Sequence, residues 1–217
     1  MYLSRLILNP RNRRVQKEVA DPYQMHRSLM RAFPDDLEAG TERVLFRLDS
    51  SPRTGTLAVL VQSLTQPDWS WVAEPGARGY LVPTGEPNPA VKSFDLHLAP
   101  GQVLAFRLRA NPTVKRTVDG KKKRMGLYRE EEQIKWLERK AEQSGFRVLS
   151  ARTSSQETVG GCIHDGDNTH KLRLFSVQFD GLLQVIDSDR LRESVQCGLG
   201  SGKGLGFGLL SLARPQA

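Results

Sequence analysis

Four side chains in the segment "DPYQMHRSLMRAFPD", which begins at Asp21, could act together on a phosphate ester. The imidazole of His26 titrates near pH 6.5 in model compounds, so it can give or take a proton at neutral pH. The phenol of Tyr23 is better suited to orient a hydroxyl or a phosphate by hydrogen bonding. Arg27 and Arg31 would stabilise developing negative charge. His26 and Tyr23 are therefore candidate catalytic residues, and the sequence leaves open whether His26 acts as an acid or as a base.

The same segment predicts a short helix that would hold these side chains. Asp21 is a suitable N-cap, Pro22 suits the first helical position, and Pro34 stops the pattern. At about 100° per residue, one side of the helix is apolar and the other carries the phenol, the imidazole and the two guanidiniums. Tyr23 and His26 are three residues apart, which places them side by side near the helix N-terminus, where a phosphate is favoured. A plain solvated face is the alternative interpretation of this stripe.

Composition and charge favour a globular protein that binds a polyanion rather than a membrane. The 217 residues are 38% hydrophobic and 26% charged, which is typical of a globular protein. No apolar run is long enough to span a membrane and no signal-peptide pattern is evident, so a cytoplasmic protein that does not bind membranes is expected. Its two cysteines predict reduced thiols rather than a disulfide framework. The net charge of +8 favours a polyanionic partner.

The positive charge is concentrated in two segments, both of which contain Pro, Asn or Gly and are predicted to be loops or strand ends. One is "NPRNRRVQK" near the N-terminus. The other is "RLRANPTVKRTVDGKKKR", which has eight basic residues and one acid. Two such runs in a basic chain favour contact with phosphates. The candidate binding residues in the second run are Arg107, Arg109, Lys115, Arg116, Lys121, Lys122, Lys123 and Arg124.

Hydrophobic patterns predict an α+β protein with two tandem ferredoxin-like βαββαβ domains, residues 1–98 and 99–217. In the first half, strands are expected at 2–8, 43–49 and 57–64 around the helix described above, whereas 67–100 gives no clear element. The second half predicts a strand at 102–110, a helix at 129–145 and a strand from Phe146. A polar loop around "GCIHDGDNTH" follows, and then a hairpin turning at Asp180-Gly181. A helix capped by Ser188 and ended by Gly198 precedes a final short strand.

A glycine-rich loop, "GLGSGKGLGFG", leads into that final strand. Glycine lets backbone amides approach a ligand closely, and a lysine in the loop adds one charge suited to phosphate. The loop is neither a Walker A sequence nor a dinucleotide fingerprint, because it follows a helix and precedes a strand. A flexible surface loop is the alternative. The candidate binding residues here are Gly200, Gly202, Lys203 and Gly204.

The pattern Gly198-Leu199-Gly200, five residues, then Gly206-Phe207-Gly208 resembles the C-terminal motif of the repeat-associated (RAMP) RNA-binding proteins of CRISPR systems. Together with "YLSRLILNP", the Tyr-x-x-His helix and the basic segment, the chain resembles the CasE family of type I-E systems. That family consists of precursor-crRNA endoribonucleases. The resemblance covers nearly the whole chain and is weakest at about 67–100 and 152–170.

The resemblance implies two ferredoxin-like domains that bind the stem-loop of a CRISPR repeat. It implies metal-free cleavage on the 3′ side of the stem, leaving 2′,3′-cyclic phosphate and 5′-hydroxyl ends, without a small-molecule cofactor. The enzyme would then stay on its product beside the other subunits of the Cascade complex. By matching position, His26 would be the catalytic histidine, Tyr23 its partner, and the basic segment would lie along the RNA stem. Some relatives carry Lys where this chain has Arg31, and the two are not equivalent in proton transfer.

Three alternatives remain open at this point. The chain could be a non-catalytic RNA-binding scaffold of the same fold, in which His26 only contacts phosphate. It could be a basic protein-assembly module whose glycine-rich loop packs against a neighbouring subunit. A metal site in "CIHDGDNTH" is a third alternative, although its spacing matches no zinc or two-metal nuclease pattern and no metal is expected.

Overall fold

The computed structural model describes the chain except residues 36, 38–42, 52, 119, 166–167 and 216–217. Of residues 118, 155, 161–165 and 168–173 it describes only the backbone. The chain forms two compact units. The first contains Met1–Asp95, Gly160–Leu172 and Gly204–Gly206, and the second contains Leu96–Val159, Arg173–Lys203 and Phe207–Ala217. No helix among the described residues is both long enough and apolar enough to cross a membrane.

The first unit is a four-stranded antiparallel sheet with the strand order β2-β3-β1-β4. Its strands are β1 (Tyr2–Leu8), β2 (Leu45–Ser50), β3 (Leu57–Ser63) and β4 (Ala90–Ser93). Two helices, α1 (Arg13–Ala20) and α2 (Pro22–Met30), lie between β1 and β2 in the chain. In place of a second crossover helix, two short 3-10 turns (Ser70–Ala73 and Pro75–Ala77) connect β3 to β4.

The second unit contains a sheet with the order β10-β5-β9-β8. Its strands are β5 (Val103–Ala110), β8 (Phe146–Asp165), β9 (Asn168–Val185) and β10 (Leu210–Ala213), with helices α3 (Glu130–Gln143) and α4 (Ser188–Cys197). A separate hairpin of β6 (Thr113–Val118) and β7 (Lys121–Gly126) follows β5. In both units the strand order is fourth, first, third, second, which is the ferredoxin-like arrangement that the sequence predicts.

Helix α1 corrects the prediction of a loop for "NPRNRRVQK". Asn12 is its N-cap, and the side-chain oxygen of Asn12 accepts hydrogen bonds from the amides of Arg14 (2.9 Å) and Val15 (3.2 Å). Val15 is fully buried in the core of the first unit. The capping asparagine and the single buried valine outweigh the charge that surrounds them, so the basic residues end up on a helix.

The backbone of β9 corrects the predicted turn at Asp180-Gly181. Both residues lie inside the strand, where Asp180 pairs with Arg107 and Gly181 with Phe106 of β5. A Cβ atom at Gly181 would lie 2.0 Å from the carbonyl oxygen of Ser150. Glycine is therefore required here by a close approach of backbone, not by a turn.

Three smaller predictions also differ from the structure. Residues around "GCIHDGDNTH" continue β8 as far as Asp165 and begin β9 at Asn168, so the backbone there is strand rather than loop. The basic segment after β5 forms the β6–β7 hairpin instead of a loop. Helix α4 is capped by Asp187, whose carboxylate accepts from the amides of Asp189 and Arg190, and not by Ser188.

Candidate functional site

Helix α2 places the candidate catalytic histidine at the edge of the core of the first unit. As predicted, Asp21 is its N-cap, and the carboxylate of Asp21 accepts from the amide of Tyr23 at 3.1 Å. Met25 and Leu29 are buried in the core and fix the rotation of the helix. With that rotation His26 is half-buried on the flank of the helix, and Tyr23 lies one turn before it.

The imidazole of His26 stacks on Phe46 of β2, with ring centroids 6.3 Å apart and planes at 16°. Its Nδ1 atom is buried and has no hydrogen-bond partner among the described residues. Burial lowers the pKa of His26 below the ordinary value of 6.5. The ring is therefore neutral at pH 7, and its Nε2 atom is the nitrogen that remains for chemistry.

The glycine-rich loop meets this nitrogen at one residue. Gly204 belongs to the first unit, and a Cβ atom built on it would lie 3.7 Å from His26 Nε2. Gly206 approaches the other side of the stack, because a Cβ atom there would lie 3.1 Å from the ring of Phe46. The absence of a side chain at Gly204 leaves space in front of the imidazole, and its absence at Gly206 makes room for Phe46.

Arg27 and Arg31 lie on a different side of α2 from His26. They line a groove with the two basic residues Arg14 and Lys17 of α1. The guanidinium of Arg31 also pairs with Glu74 at 2.6 Å. The single stripe predicted from the sequence is therefore divided, with the imidazole on one flank and the guanidiniums on another.

The β6–β7 hairpin carries six of the basic residues predicted to contact phosphate. Strand pairing sets Lys115 opposite Arg124 and Arg116 opposite Lys123. Because side chains alternate along a strand, each face of the hairpin has three cations. All six side chains are exposed, and among the described residues their one ion pair joins Arg116 to Glu132 at 3.6 Å. The hairpin is a ribbon with positive charge on both faces; its cations are Lys115, Arg116, Lys121, Lys122, Lys123 and Arg124.

A cavity of about 580 Å³ lies beside the hairpin in the second unit. Five cations and no carboxylate line it, together with the start of the glycine-rich loop. Three of the cations, Lys115, Arg124 and Lys203, are predicted from the sequence. Sequence reasoning misses the other two, Arg139 and Lys140, because they belong to α3, a helix that also carries many acids. Their position in the second half of α3, away from its acidic first turn, is the signal that could have found them.

Gly200 and Gly202 have a structural role in the same loop. Both have positive φ, 81° and 79°, which disfavours other residues. A Cβ atom at Gly200 would lie 3.1 Å from Trp136, and one at Gly202 would lie 3.0 Å from Phe207. Glycine at these two positions therefore lets the loop backbone pass close to Trp136 and Phe207, and Lys203 in the same loop lines the cavity.

Arg107 and Arg109 on β5 are engaged within the second unit. Arg107 pairs with Asp180 at 2.6 Å. Burial alone would raise the pKa of Asp180, but hydrogen bonds from Arg107 and Gln178 outweigh it and lower the pKa. Arg109 donates to Ser176 at 2.8 Å and pairs with Glu157 at 2.5 Å. The charge on both of these arginines is compensated by a carboxylate, whereas Arg116 is the one hairpin cation with an ion pair among the described residues.

The alternative metal site falls on side chains outside the described residues, since only the backbone is described at 162–165 and 168–170. Elsewhere in the described part of the chain, no group of three His, Cys, Asp or Glu side chains is placed to hold a metal ion.

Comparison with known proteins gives matches along the whole chain. Residues 1–214 match the family of CRISPR associated proteins. The CRISPR-associated endoribonuclease Cse3 of Thermus thermophilus is 39% identical, over 98% of this chain and 100% of the relative. The Cascade subunit CasE of Escherichia coli is 32% identical, over 98% of this chain and 99% of the relative.

Solved structures agree with the sequence matches. Thermus thermophilus Cse3, bound to an RNA that represents a pre-cleavage complex, has a TM-score of 0.81 and 37% identity, with 98% of each chain covered. A likeness of this extent spans both sheets and both ends of the chain. The chain belongs to the family of CRISPR-associated proteins that contains Cse3 and CasE.

Proposed function

We propose that this protein is an endoribonuclease that binds the stem-loop of a CRISPR repeat and cleaves the precursor transcript on the 3′ side of the stem. It then stays on the product as a subunit of Cascade. Its similarity to an endoribonuclease and to a Cascade subunit supports the proposal. The observation that carries it is the neutral, half-buried imidazole of His26, whose Nε2 atom faces a loop residue that has no side chain.

The reaction that suits these residues is an internal transesterification. The 2′-oxygen of the nucleotide before the scissile bond attacks phosphorus and loses its proton, and the bond from phosphorus to the 5′-oxygen breaks. The departing 5′-oxygen takes up a proton, either from the imidazolium that the base has become or from water. The products are a 2′,3′-cyclic phosphate and a 5′-hydroxyl. A neutral imidazole can take the first proton, and the phenol of Tyr23 can orient the 2′-hydroxyl or the phosphate. Amides and cations beside the site would stabilise the charge on the phosphorane.

The lowered pKa of His26 predicts a specific pH dependence of kcat/KM, which reports the free enzyme. A base must be unprotonated, so kcat/KM should reach a plateau toward alkaline pH and fall as the pH drops, with the midpoint of the fall below the ordinary value of 6.5. An acid would give the opposite trend, with kcat/KM falling as the pH rises. Cleavage rates measured at several RNA concentrations for each pH separate kcat/KM from kcat. A fall of kcat/KM toward alkaline pH would contradict the assignment of His26 as the base.

Gly204→Ala should slow cleavage much more than it weakens RNA binding. Residue 204 has no positive φ, and a Cβ atom there makes ordinary contacts of 3.7–3.9 Å with the imidazole, so the fold should tolerate alanine. The methyl group would displace a phosphate from Nε2, and small misplacements of this kind cost about 10- to 100-fold in rate. Single-turnover cleavage measures the effect.

Gly76→Ala is the matched control, since a Cβ atom at Gly76 would meet nothing within 4 Å. This variant should cleave at the wild-type rate. A Gly204→Ala enzyme as fast as Gly76→Ala would show that the space in front of Nε2 is not where the phosphate lies.

RNA binding in this proposal involves the hairpin, the cavity beside it and the glycine-rich loop, with Arg27, Arg31, Arg107 and Arg109 in addition. The β6–β7 hairpin and the neighbouring cavity would hold the stem, since both are strongly positive. The glycine-rich loop would contact the phosphate beside His26. The proposed binding residues are Arg27, Arg31, Arg107, Arg109, Lys115, Arg116, Lys121, Lys122, Lys123, Arg124, Gly200, Gly202, Lys203 and Gly204, and the cavity adds Arg139 and Lys140. We further propose the boundary between residues 98 and 99 as the division between the catalytic and the stem-binding domain.

The test of the proposed function is cleavage of an end-labelled repeat stem-loop in EDTA, followed by mapping of both new ends. We expect cutting at the 3′ side of the stem with cyclic phosphate and 5′-hydroxyl ends. Cutting that stops in EDTA and returns with added metal would overturn the metal-free mechanism. Tight binding without cutting would instead favour a non-catalytic scaffold.

A further inference from the structure

A second positively charged groove, of about 420 Å³, lies between α1 and α2 in the first unit. Four cations and one carboxylate line it, with one amide and one hydroxyl. Because α2 turns by about 100° per residue, its groove-lining residues lie roughly 150° around the helix from His26. The groove is therefore distinct from the space in front of the imidazole. Its lining residues are Arg14, Lys17, Glu18, Gln24, Arg27, Ser28 and Arg31.

Arg14 is fixed in this groove by several contacts. Its Nε atom donates to Glu18 at 2.8 Å, and a terminal nitrogen donates to Ser28 at 2.7 Å. Its guanidinium lies 5.0 Å from the centre of the Trp71 ring. Glu18 is itself buried and also accepts from Tyr80 at 2.6 Å. The one carboxylate of the groove thus serves to orient Arg14 and is turned toward the core.

Arg31 is oriented by the same indole from the other side of the groove. Its guanidinium lies 4.9 Å from the centre of the Trp71 ring and pairs with Glu74 at 2.6 Å. Trp71 is 3% exposed, so it is a fixed support rather than a mobile side chain. Two guanidiniums held in place before a ligand arrives lose little entropy on binding phosphate.

Lys17 and Arg27 are the other two cations of the groove, and their positive charges are not paired with a carboxylate among the described residues. Both are exposed. Arg27 and Arg31 are four residues apart on α2, and Arg14 and Lys17 are three apart on α1, so each pair repels. An arrangement that gathers like charges around two oriented guanidiniums fits an anionic ligand with more than one negative charge.

We propose that this groove binds the phosphodiester backbone of the single-stranded RNA that flanks the scissile bond, with Arg14 and Lys17 as binding residues. The proposal rests on the proposed function. A helix with its side chains is about 10 Å wide, so a strand with one phosphate at His26 reaches the groove by passing around α2. A single strand can bend in this way, whereas the stem cannot.

The test uses Lys17→Gln, which removes one exposed charge and keeps a helix-forming side chain. Lys92→Gln, on the exposed side of β4, is the matched control. Each variant is titrated with two RNAs, the repeat stem-loop with its single-stranded flanks and the same stem-loop trimmed of them, over a range of salt concentrations. For flanked RNA we expect Lys17→Gln to weaken binding roughly fivefold and to reduce the salt slope by about 0.7, the value for one contact on a single strand.

On trimmed RNA the two variants should bind like the wild type, and Lys92→Gln should bind flanked RNA normally. An equal loss on both RNAs would place Lys17 against the stem and overturn the proposal. Unchanged binding of flanked RNA would also overturn it, and would leave an acidic protein surface as the occupant of the groove. If the wild type binds neither RNA, the proposed function itself is refuted. If the wild type binds and cleaves and Lys17→Gln behaves in the same way, only the role of the groove is refuted.

Discussion

His26→Ala should lower the single-turnover rate of RNA cleavage by about 10²- to 10⁴-fold, the contribution of a positioned proton-transfer group. The affinity for the repeat stem-loop should change little, because the cations proposed to hold the stem lie in the second unit. The fold should also persist, since His26 is only half-buried and its Nδ1 atom makes no hydrogen bond that the variant would lose. Rapid-quench cleavage with excess enzyme measures the rate, and filter binding measures the affinity.

His97→Ala is the control for this experiment, because His97 is an exposed histidine on a different segment. It should cleave at the wild-type rate. Wild-type cleavage by His26→Ala would remove His26 from the mechanism, and a parallel loss of binding would reduce its role to contact with phosphate.

Replacing Lys121, Lys122, Lys123 and Arg124 of β7 by alanine should weaken binding of the stem-loop by about 10²- to 10³-fold. Each exposed contact with a phosphate contributes up to about 1 kcal/mol. The salt slope should fall by about 0.9 for each phosphate contact on a duplex, or about 3.6 for four. Once RNA is bound at saturating enzyme, the cleavage rate should be close to that of the wild type, since β7 is proposed to hold the stem and not to take part in proton transfer. Titrations at several salt concentrations give both quantities.

A control with the same loss of charge separates local contact from general attraction. Four exposed cations lie outside the hairpin, outside the cavity beside it and outside the groove between α1 and α2; they are Arg53, Arg78, Lys92 and Arg147. Their joint replacement by alanine should have a much smaller effect on affinity and slope. If the two quadruple variants behave alike, the hairpin has no special place in binding.

Local signals in the sequence predict several elements well. The Asp21 cap and the proline beside it define the start of α2, and the structure confirms both. The acidic first turn of α3 and the glycine after it likewise bound a helix that is present at Glu130–Gln143. These features depend on hydrogen bonds and dihedral angles within a few residues, so the sequence alone carries them.

Features set by distant contacts are not predicted. Asp180-Gly181 has the sequence of a hairpin turn, yet it lies within β9, where the backbone at Ser150 comes too close for any residue but glycine. Strand β4 is only four residues long and lies in a Pro- and Gly-rich segment, so its pairing with β1 is visible only in the sheet. The position of Gly181 within a strand and the pairing of β4 are set by tertiary packing, which overrides local propensity.

The candidate site likewise has some features that the local sequence predicts and others that depend on distant contacts. Residue chemistry and spacing identify His26 and Tyr23, but the orientation of the Arg31 guanidinium depends on the position of Trp71, 40 residues away in the chain. The cations Arg139 and Lys140 become candidates only when α3 is seen to line the same cavity as Lys203. The proximity of Gly204 to His26 Nε2 joins two segments from opposite ends of the sequence.

The most direct test of the central claim is the fate of an RNA with a single 2′-deoxy nucleotide immediately before the scissile bond. Cleavage by side-chain acid–base chemistry needs that 2′-hydroxyl as its nucleophile. The wild-type enzyme should therefore bind this RNA as tightly as the unmodified stem-loop and leave it uncut. Cleavage at the same bond, leaving ends that a water nucleophile produces, would contradict the account.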